Sequence, residues 1–327
     1  MPNWTHVLKE IQSESDTPGG ESAADKVRQR YLTKLHDHVG QRNIICYYSG
    51  FLSKPSNIEG MEINDEDKNG FMACIHKLDR RKGLDLFLHT PGGNGAATES
   101  LVHYLKEMFG NDIRAFVPQI AMSAGTIIAC ACKEIFMGKH SNLGPVDPQI
   151  NGIPAYAVIE ELERAYNEIK ADQQRAWVWN PILSRYTPGF IQQCQWAIQR
   201  AKEMVEQFLK ENMLSGNANK EALAADITKK LTELSSKKGH DRHVHFQECV
   251  DMGLVVHPLE NSSDKQLQDL VLTLHHCYMY VLSNSGCFKI IENHIGRRTL
   301  KVQLQGFILQ QPMALPTPLL APSGPTH

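Results

Sequence analysis

Apolar residues along the chain come in two rhythms. Short runs such as Ile44-Ile45-Cys46-Tyr47-Tyr48, Leu84-Asp85-Leu86-Phe87-Leu88-His89 and Ile113-Arg114-Ala115-Phe116-Val117 have the length and composition of buried strands. Between them lie longer stretches whose apolar positions fall three and four apart. Phe71, Met72, Ile75 and Leu78 share one face of a helix predicted over 65–81, and helix-like runs also cover 96–109 and 127–132. The first strand is predicted over 43–52, and Ile135-Phe136-Met137 makes another short one. Strand and helix alternate in this way from Asn43 to Gly138, which predicts an α/β fold with a parallel sheet.

Beyond that unit, residues 154–212 are mostly helical in pattern. One stripe runs through Ile159, Leu162, Ala165, Tyr166 and Ile169, and a second through Cys194, Ala197, Ile198, Ala201 and Val205. Pro181 and Pro188-Gly189 break the segment between them. Trp177, Trp179 and Trp196 fall in the same segment and read as helix–helix packing. A charged helix is predicted over 217–238, a short one before Gly253, and a last one over 265–283. The expected organisation is an N-terminal helical arm over 1–42, one domain over 43–304 that includes the helical segment 154–212, and a tail over 305–327. That tail is rich in proline and apolar residues without period, so it is expected to be disordered.

Composition narrows the class. The chain has 327 residues, 42% hydrophobic and 21% charged, as ordinary soluble globular proteins do. A formal net charge of -2 argues against a surface that coats nucleic acid. Met1 to Ser15 lacks a charged-then-apolar leader pattern, and the longest apolar stretch, 120–132, is too short to span a bilayer. The eight cysteines are irregularly spaced with no Cys-x-x-Cys pair, which fits reduced thiols acting as small hydrophobes. A cytoplasmic protein without a membrane span is expected.

Two turns carry the candidate chemistry. The second strand runs into Thr90-Pro91-Gly92-Gly93-Asn94-Gly95, and the third into Pro118-Gln119-Ile120-Ala121-Met122-Ser123-Ala124-Gly125-Thr126. A serine that attacks a carbonyl needs exposure at a tight turn, donors for the developing oxyanion, and a base. Ala124 and Gly125 allow a helix to start directly after Ser123, leaving its first N–H groups unpaired and its dipole positive there. Gly92 and Gly93 let a backbone N–H approach a substrate, because no Cβ intervenes. One turn would supply the nucleophile, Ser123, with Ala124 as an oxyanion donor. The other would supply the second donor, Gly93 or Gly92. The bland alternative is a plain strand-to-helix turn with Ser123 as an N-cap.

Leu88-His89-Thr90-Pro91-Gly92-Gly93, Ala121-Met122-Ser123-Ala124-Gly125-Thr126 and Ser141-Asn142-Leu143-Gly144-Pro145-Val146-Asp147-Pro148-Gln149 together resemble the serine dehydrogenase proteinase family. That family belongs to the Clp-fold serine peptidases, alongside ClpP and signal peptide peptidase A. The resemblance is best over 44–153 and weaker through 240–259 and 289–296. It implies a ClpP/crotonase-like fold, a serine peptidase acting on peptides or proteins, a homo-oligomer, and no metal or nucleotide cofactor.

The base is open at this point. Where ClpP-like enzymes carry a histidine, Val146 and Asp147 stand here. Signal peptide peptidase A-like enzymes use a lysine, and Lys170 follows the serine at comparable range, next to Ile169 and on the same helical face as Tyr166, which would allow partial burial; the alternative is an ordinary solvated helix lysine with acidic neighbours such as Glu168. His245 is the second candidate, with Asp241 to orient it. His243 and His245 would share a face if the segment is a strand, and zinc ligation is a further, poorly supported option for them. Competing functions on the same fold are a crotonase-like acyl-CoA enzyme, with Asp147 as its nearby carboxylate, and a non-catalytic assembly protein. Dinucleotide binding is set aside, since the third glycine of its fingerprint is missing at Thr98.

Overall fold

The structure is a computed structural model. It describes residues 4–18, 20–238, 242–260 and 263–303, with the backbone alone over 234–238. Two helices open the chain, α1 (Trp4–Ser13) and α2 (Ala23–His38), followed by strand β1 (Asn43–Ser49). Then come α3 (Asp67–Ile75), β2 (Leu84–His89), α4 (Gly95–Phe109), β3 (Ile113–Val117), the two-residue β4 (Ile120–Ala121), α5 (Ala124–Cys130) and β5 (Glu134–Met137). Short strands β6 (Asn142–Leu143), β7 (Gln149–Ile150) and β8 (Ile153–Pro154) lead into helices α6 (Ala155–Ala171), α7 (Ala176–Leu183), α8 (Phe190–Glu211) and α9 (Lys220–Lys238). The chain ends with β9 (Val244–His245), α10 (Phe246–Met252), β10 (Val256–Pro258), α11 (Lys265–Asn284), β11 (Cys287–Asn293) and β12 (Arg298–Val302).

Seven strands form the main sheet in the order β10-β5-β3-β2-β1-β11-β12. The first five in that order are parallel, and β11 and β12 add antiparallel at one edge. This is the α/β fold with a parallel sheet that the alternation predicts. Residues of β1 and β2 are buried throughout because helices cover both faces. Ile45, Tyr47, Leu86, Leu88 and Ala115 point to a core with α4, α5, α8 and α9. Their neighbours Ile44, Cys46, Tyr48, Phe87 and Phe116 point to a second core with α1, α2 and α11. The period-2 alternation of a strand thus divides each run between two apolar layers. Arg28 of α2 is tied into the second layer: its buried Nε donates to Glu292 Oε2 at 2.6 Å, and Tyr278 Oη donates to the same oxygen at 2.9 Å. All eight cysteines are buried thiols.

Several element boundaries differ from the sequence expectation. The helix predicted over 65–81 stops at Ile75, and Lys77 takes a positive φ of 69° that turns the chain. The first strand ends at Ser49, where Gly50 starts a turn that Ser53 and Lys54 N–H close on its carbonyl. The helix placed at 127–132 begins three residues earlier, at Ala124. Of the three tryptophans assigned to packing, only Trp179 is buried; Trp177 and Trp196 are 83% and 67% exposed. Helix α7 buries only Trp179, and Trp196 lies off the buried line of α8.

Burial sets a pH dependence for this fold. Desolvation pushes the imidazole of His89 down to about 3 and that of His294 down to about 4, and holds His275 well below the ordinary value. A histidine that titrates lower when folded than the roughly 6.5 of an unfolded chain favours folding above that value, and the contribution is lost as pH falls toward the folded pKa. The thermal unfolding midpoint should therefore drop steadily from pH 7 to pH 4, with a shallower drop in His89→Leu. A scanning-calorimetry series in the two proteins checks this.

Candidate active site

The two turns singled out by their glycines and serine meet at one place. Thr90 N–H donates to the Ile120 carbonyl at 3.2 Å, and Met122 N–H donates back to the Thr90 carbonyl at 3.0 Å. This short parallel bridge, Thr90 to Ala121, sets the glycine turn directly beside Ser123. The fit is close. A Cβ on Gly92 would lie 2.8 Å from the Met122 carbonyl oxygen and 2.9 Å from Ser123 Cβ, and Gly92 has φ +100°. A Cβ on Gly125 would lie 2.5 Å from Thr90 Cγ2, so the first turn of α5 can seat only over a glycine. Thr126 completes the joint: its hydroxyl donates to the Gly144 carbonyl at 2.9 Å and receives the Gly144 N–H at 3.0 Å. The loop Gly144 to Gln149 is thereby drawn to the same spot, and Val146 N–H anchors it to the Leu231 carbonyl of α9 at 3.1 Å.

Ser123 itself is strained. Its φ of 47° and ψ of -108° are those of the first central residue of a type II′ turn, where glycine is usual. Such a conformation costs on the order of 1–3 kcal/mol in a residue with a side chain. The residue stands at the N-cap position of α5, yet its hydroxyl makes no capping bond. It is half-buried; its carbonyl accepts the Ile127 N–H at 3.1 Å, while its hydroxyl makes no hydrogen bond to a described residue.

Two hollows open on either side of it. One, of about 350 Å³, is largely apolar, with Ala124, Ile127, Val146, Trp196, Ala201 and Met204 in its wall. The other is more polar than the first, with Glu62, Asn64, Asn94, Asp147, Gln149 and Asn151 among its lining residues. Ser123, Gly93 and Asn94 border both. Asp147 is almost wholly buried. Burial, with the Asp147 charge nearby, pushes the Tyr156 phenol above its ordinary value.

The backbone donors differ in availability. Gly92 gives its N–H to Thr90 Oγ1 at 3.2 Å and its carbonyl to Ile63 N–H at 2.7 Å. Asn94 N–H donates to the Ile63 carbonyl at 2.8 Å. Gly93 lies between these two bonds and borders both hollows with its φ at +156°. Ala124 follows Ser123 as the first residue of α5.

Neither sequence candidate for a base is brought to Ser123. Lys170 is exposed rather than partly buried, its ammonium 5.8 Å from the centre of the Tyr166 ring. The inward stripe of α6 runs through Ala155, Val158 and Ala165, and Lys170 falls off that line. His245 is exposed because Val244, its neighbour in β9, takes the inward position, and strand alternation turns the imidazole out. His245 N–H donates to Glu248 Oε2 at 3.1 Å and caps α10. Asp241, expected to orient it, lies outside the described residues. Neither Lys170 nor His245 lines either hollow. The titratable side chains that do are Glu62, Asp147 and Arg200, the last paired with Glu99 at 2.5 Å.

Two residues the sequence gives no reason to choose also matter. Thr126 reads as one more small residue in a run, and Ile63 as one apolar position in a polar loop. Only the serine-to-helix spacing, which puts Thr126 one turn behind the nucleophile candidate, offered a signal for the first.

No described helix is long and apolar enough to cross a membrane. A distant likeness in structure is to a serine-to-alanine mutant of the 1510-N membrane-bound stomatin-specific protease, at 18% identity and a TM-score of 0.37, covering 64% of this chain and 79% of that one; it is too remote to bear on the site. Two uncharacterized proteins of Methanocaldococcus jannaschii are similar in sequence. One is 30% identical over 224 residues, 68% of each chain, and the other 29% identical over 194 residues, 59% of each. A sequence model of the ClpP-like SDH-type serine proteinases matches residues 26–270. With the Thr-Pro-Gly-Gly turn and the serine turn held side by side on an α/β sheet, the chain belongs to the ClpP-like SDH-type serine proteinase family.

Proposed function

We propose that the protein is a serine peptidase in which Ser123 is the nucleophile and the N–H groups of Gly93 and Ala124 receive the oxyanion. The observation that carries this reading is the strained Ser123, its hydroxyl unbonded among described residues, at the border of two hollows and against the glycine turn. A peptide lying across both hollows would present its carbonyl carbon to Ser123 Oγ. Attack forms the C–O bond, releases the Ser123 hydroxyl proton and moves charge to the carbonyl oxygen, which the two backbone donors stabilise. Collapse breaks the C–N bond as that proton is delivered to the departing amine, and water later adds to the ester, leaving its hydroxyl on the acid and a proton on Ser123 Oγ. Gly92 is the less suitable donor, since Thr90 already receives its N–H. Its role in the proposal is steric, to let the turn approach the serine. Family membership supports a peptide or protein as substrate and, by extension, an assembly of several copies.

A fluorophosphonate probe tests the nucleophile. Wild-type protein should be labelled at one site, and Ser123→Ala should abolish labelling with its circular dichroism unchanged; equal labelling of the variant defeats the reading. Gly92→Ala places a methyl group against the Met122 carbonyl and Ser123 Cβ, so its labelling rate should fall by about 10²-fold, as when an oxyanion site is disarranged. Ser123→Gly should be inert yet more stable, because glycine adopts the strained conformation freely. Relief of about 1 kcal/mol would raise the unfolding midpoint by roughly 1–2 °C, readable by thermal melt.

A further inference from the structure

Beneath the polar hollow lies a buried ionic cluster that the proposed chemistry does not use. Lys289, on β11, is 1% exposed, and its ammonium donates to Asp67 Oδ1 at 2.8 Å and Oδ2 at 2.9 Å, and to the Glu62 backbone carbonyl at 2.7 Å. Asp67, also 1% exposed, receives Tyr47 Oη at 2.8 Å and the Asn64 backbone N–H at 3.1 Å. The carbonyl before Ile63 and the N–H after it are thus both held by this pair. Ile63 itself is bonded on both sides to the glycine turn, through Gly92 O at 2.7 Å and Asn94 N–H at 2.8 Å. Ile63 cannot shift without moving Gly93, whose Cβ position would lie 2.3 Å from both Ile63 N and Ile63 O. A second ammonium, Lys301, stands 3.6 Å from Asp67 Oδ1 while bonded to Glu66 at 2.7 Å.

We propose that Lys289 and Asp67 are positioning residues for the oxyanion site. They act through residues 62–64 as a strap that fixes where the Gly93 N–H points. The inference rests on the serine peptidase reading for its consequence, but the strap itself is a matter of backbone hydrogen bonds. Burying two charges is costly, and a well-packed apolar pair would often serve stability as well. An apolar pair could not bond the Glu62 carbonyl or the Asn64 N–H, and that difference separates a positioning role from a structural one.

Two variants make the test. Lys289→Met leaves the buried Asp67 carboxylate only the more distant Lys301 ammonium as counter-charge and is expected to be less stable. The double variant with Asp67→Leu removes both charges and should recover much of the unfolding midpoint. Two readouts apply to each: hydrogen exchange at the Ile63 and Asn94 amides, and the second-order rate of fluorophosphonate labelling. In both variants the two amides should lose protection and labelling should slow at least tenfold, even where the double variant melts near the wild type. Unchanged protection, or a wild-type labelling rate in a variant that has lost protection, overturns the inference. Absence of labelling in the wild-type protein, with protection lost in the variants, sinks the peptidase reading while the strap stands.

Discussion

Two backbone hydrogen bonds, Thr90 to Ile120 and Met122 to Thr90, hold the candidate site of this protein together. Each joins the residues just past the ends of neighbouring parallel strands. A parallel sheet delivers the carboxyl ends of its strands to one side of the layer, and loops there are free to differ in sequence. Here the loops after β2 and β3 are stitched to each other before either enters its helix. The serine and the glycine turn therefore share one rigid frame, and their relation does not depend on long side chains.

That frame tolerates very little volume. Gly92, Gly93 and Gly125 each meet a neighbour where even a methyl group would intrude, and Ser123 carries its side chain in a backbone conformation suited to glycine. Close-packed interiors resist such strain only when the surroundings over-determine it. Thr126 and the Gly144 loop supply that constraint from one side, and residues 62–64 from the other. The resulting hydroxyl stands clear of capping duty, at the border between an apolar and a polar hollow.

Two buried ion pairs lie outside the two hollows. Arg28 with Glu292 pins helix α2 to the edge of the sheet, and Lys289 with Asp67 pins the segment that meets the glycine turn. Both pairs involve β11, the antiparallel strand added beside β1. Strand β11 thus anchors two polar contacts, and β2 carries a third through buried Asp85, paired with Arg42 and Arg114.

How much of this could be read from the chain follows from the range of each interaction. Strand runs, helix faces and the two turns are local: a period of two or of 3.6, and a glycine pair or a small-residue run, are visible within a dozen residues. The alternation over 43–138 and the pairing of Pro91-Gly92-Gly93 with Ser123-Ala124-Gly125 were legible for that reason. Helix ends were less so, since Lys77 in a left-handed turn has no sequence mark. The surroundings of the serine were decided only in three dimensions. Lys170 was a matter of spacing along the chain, yet helix phase turns it to solvent; His245 was a matter of residue type, yet strand alternation turns it out. Trp196 reads as core and stands exposed at the hollow instead. Lys289 and Asp67, 222 residues apart, leave no periodic trace at all. A contact of that separation is created by the crossing of elements, and a sequence pattern records only what one element does by itself.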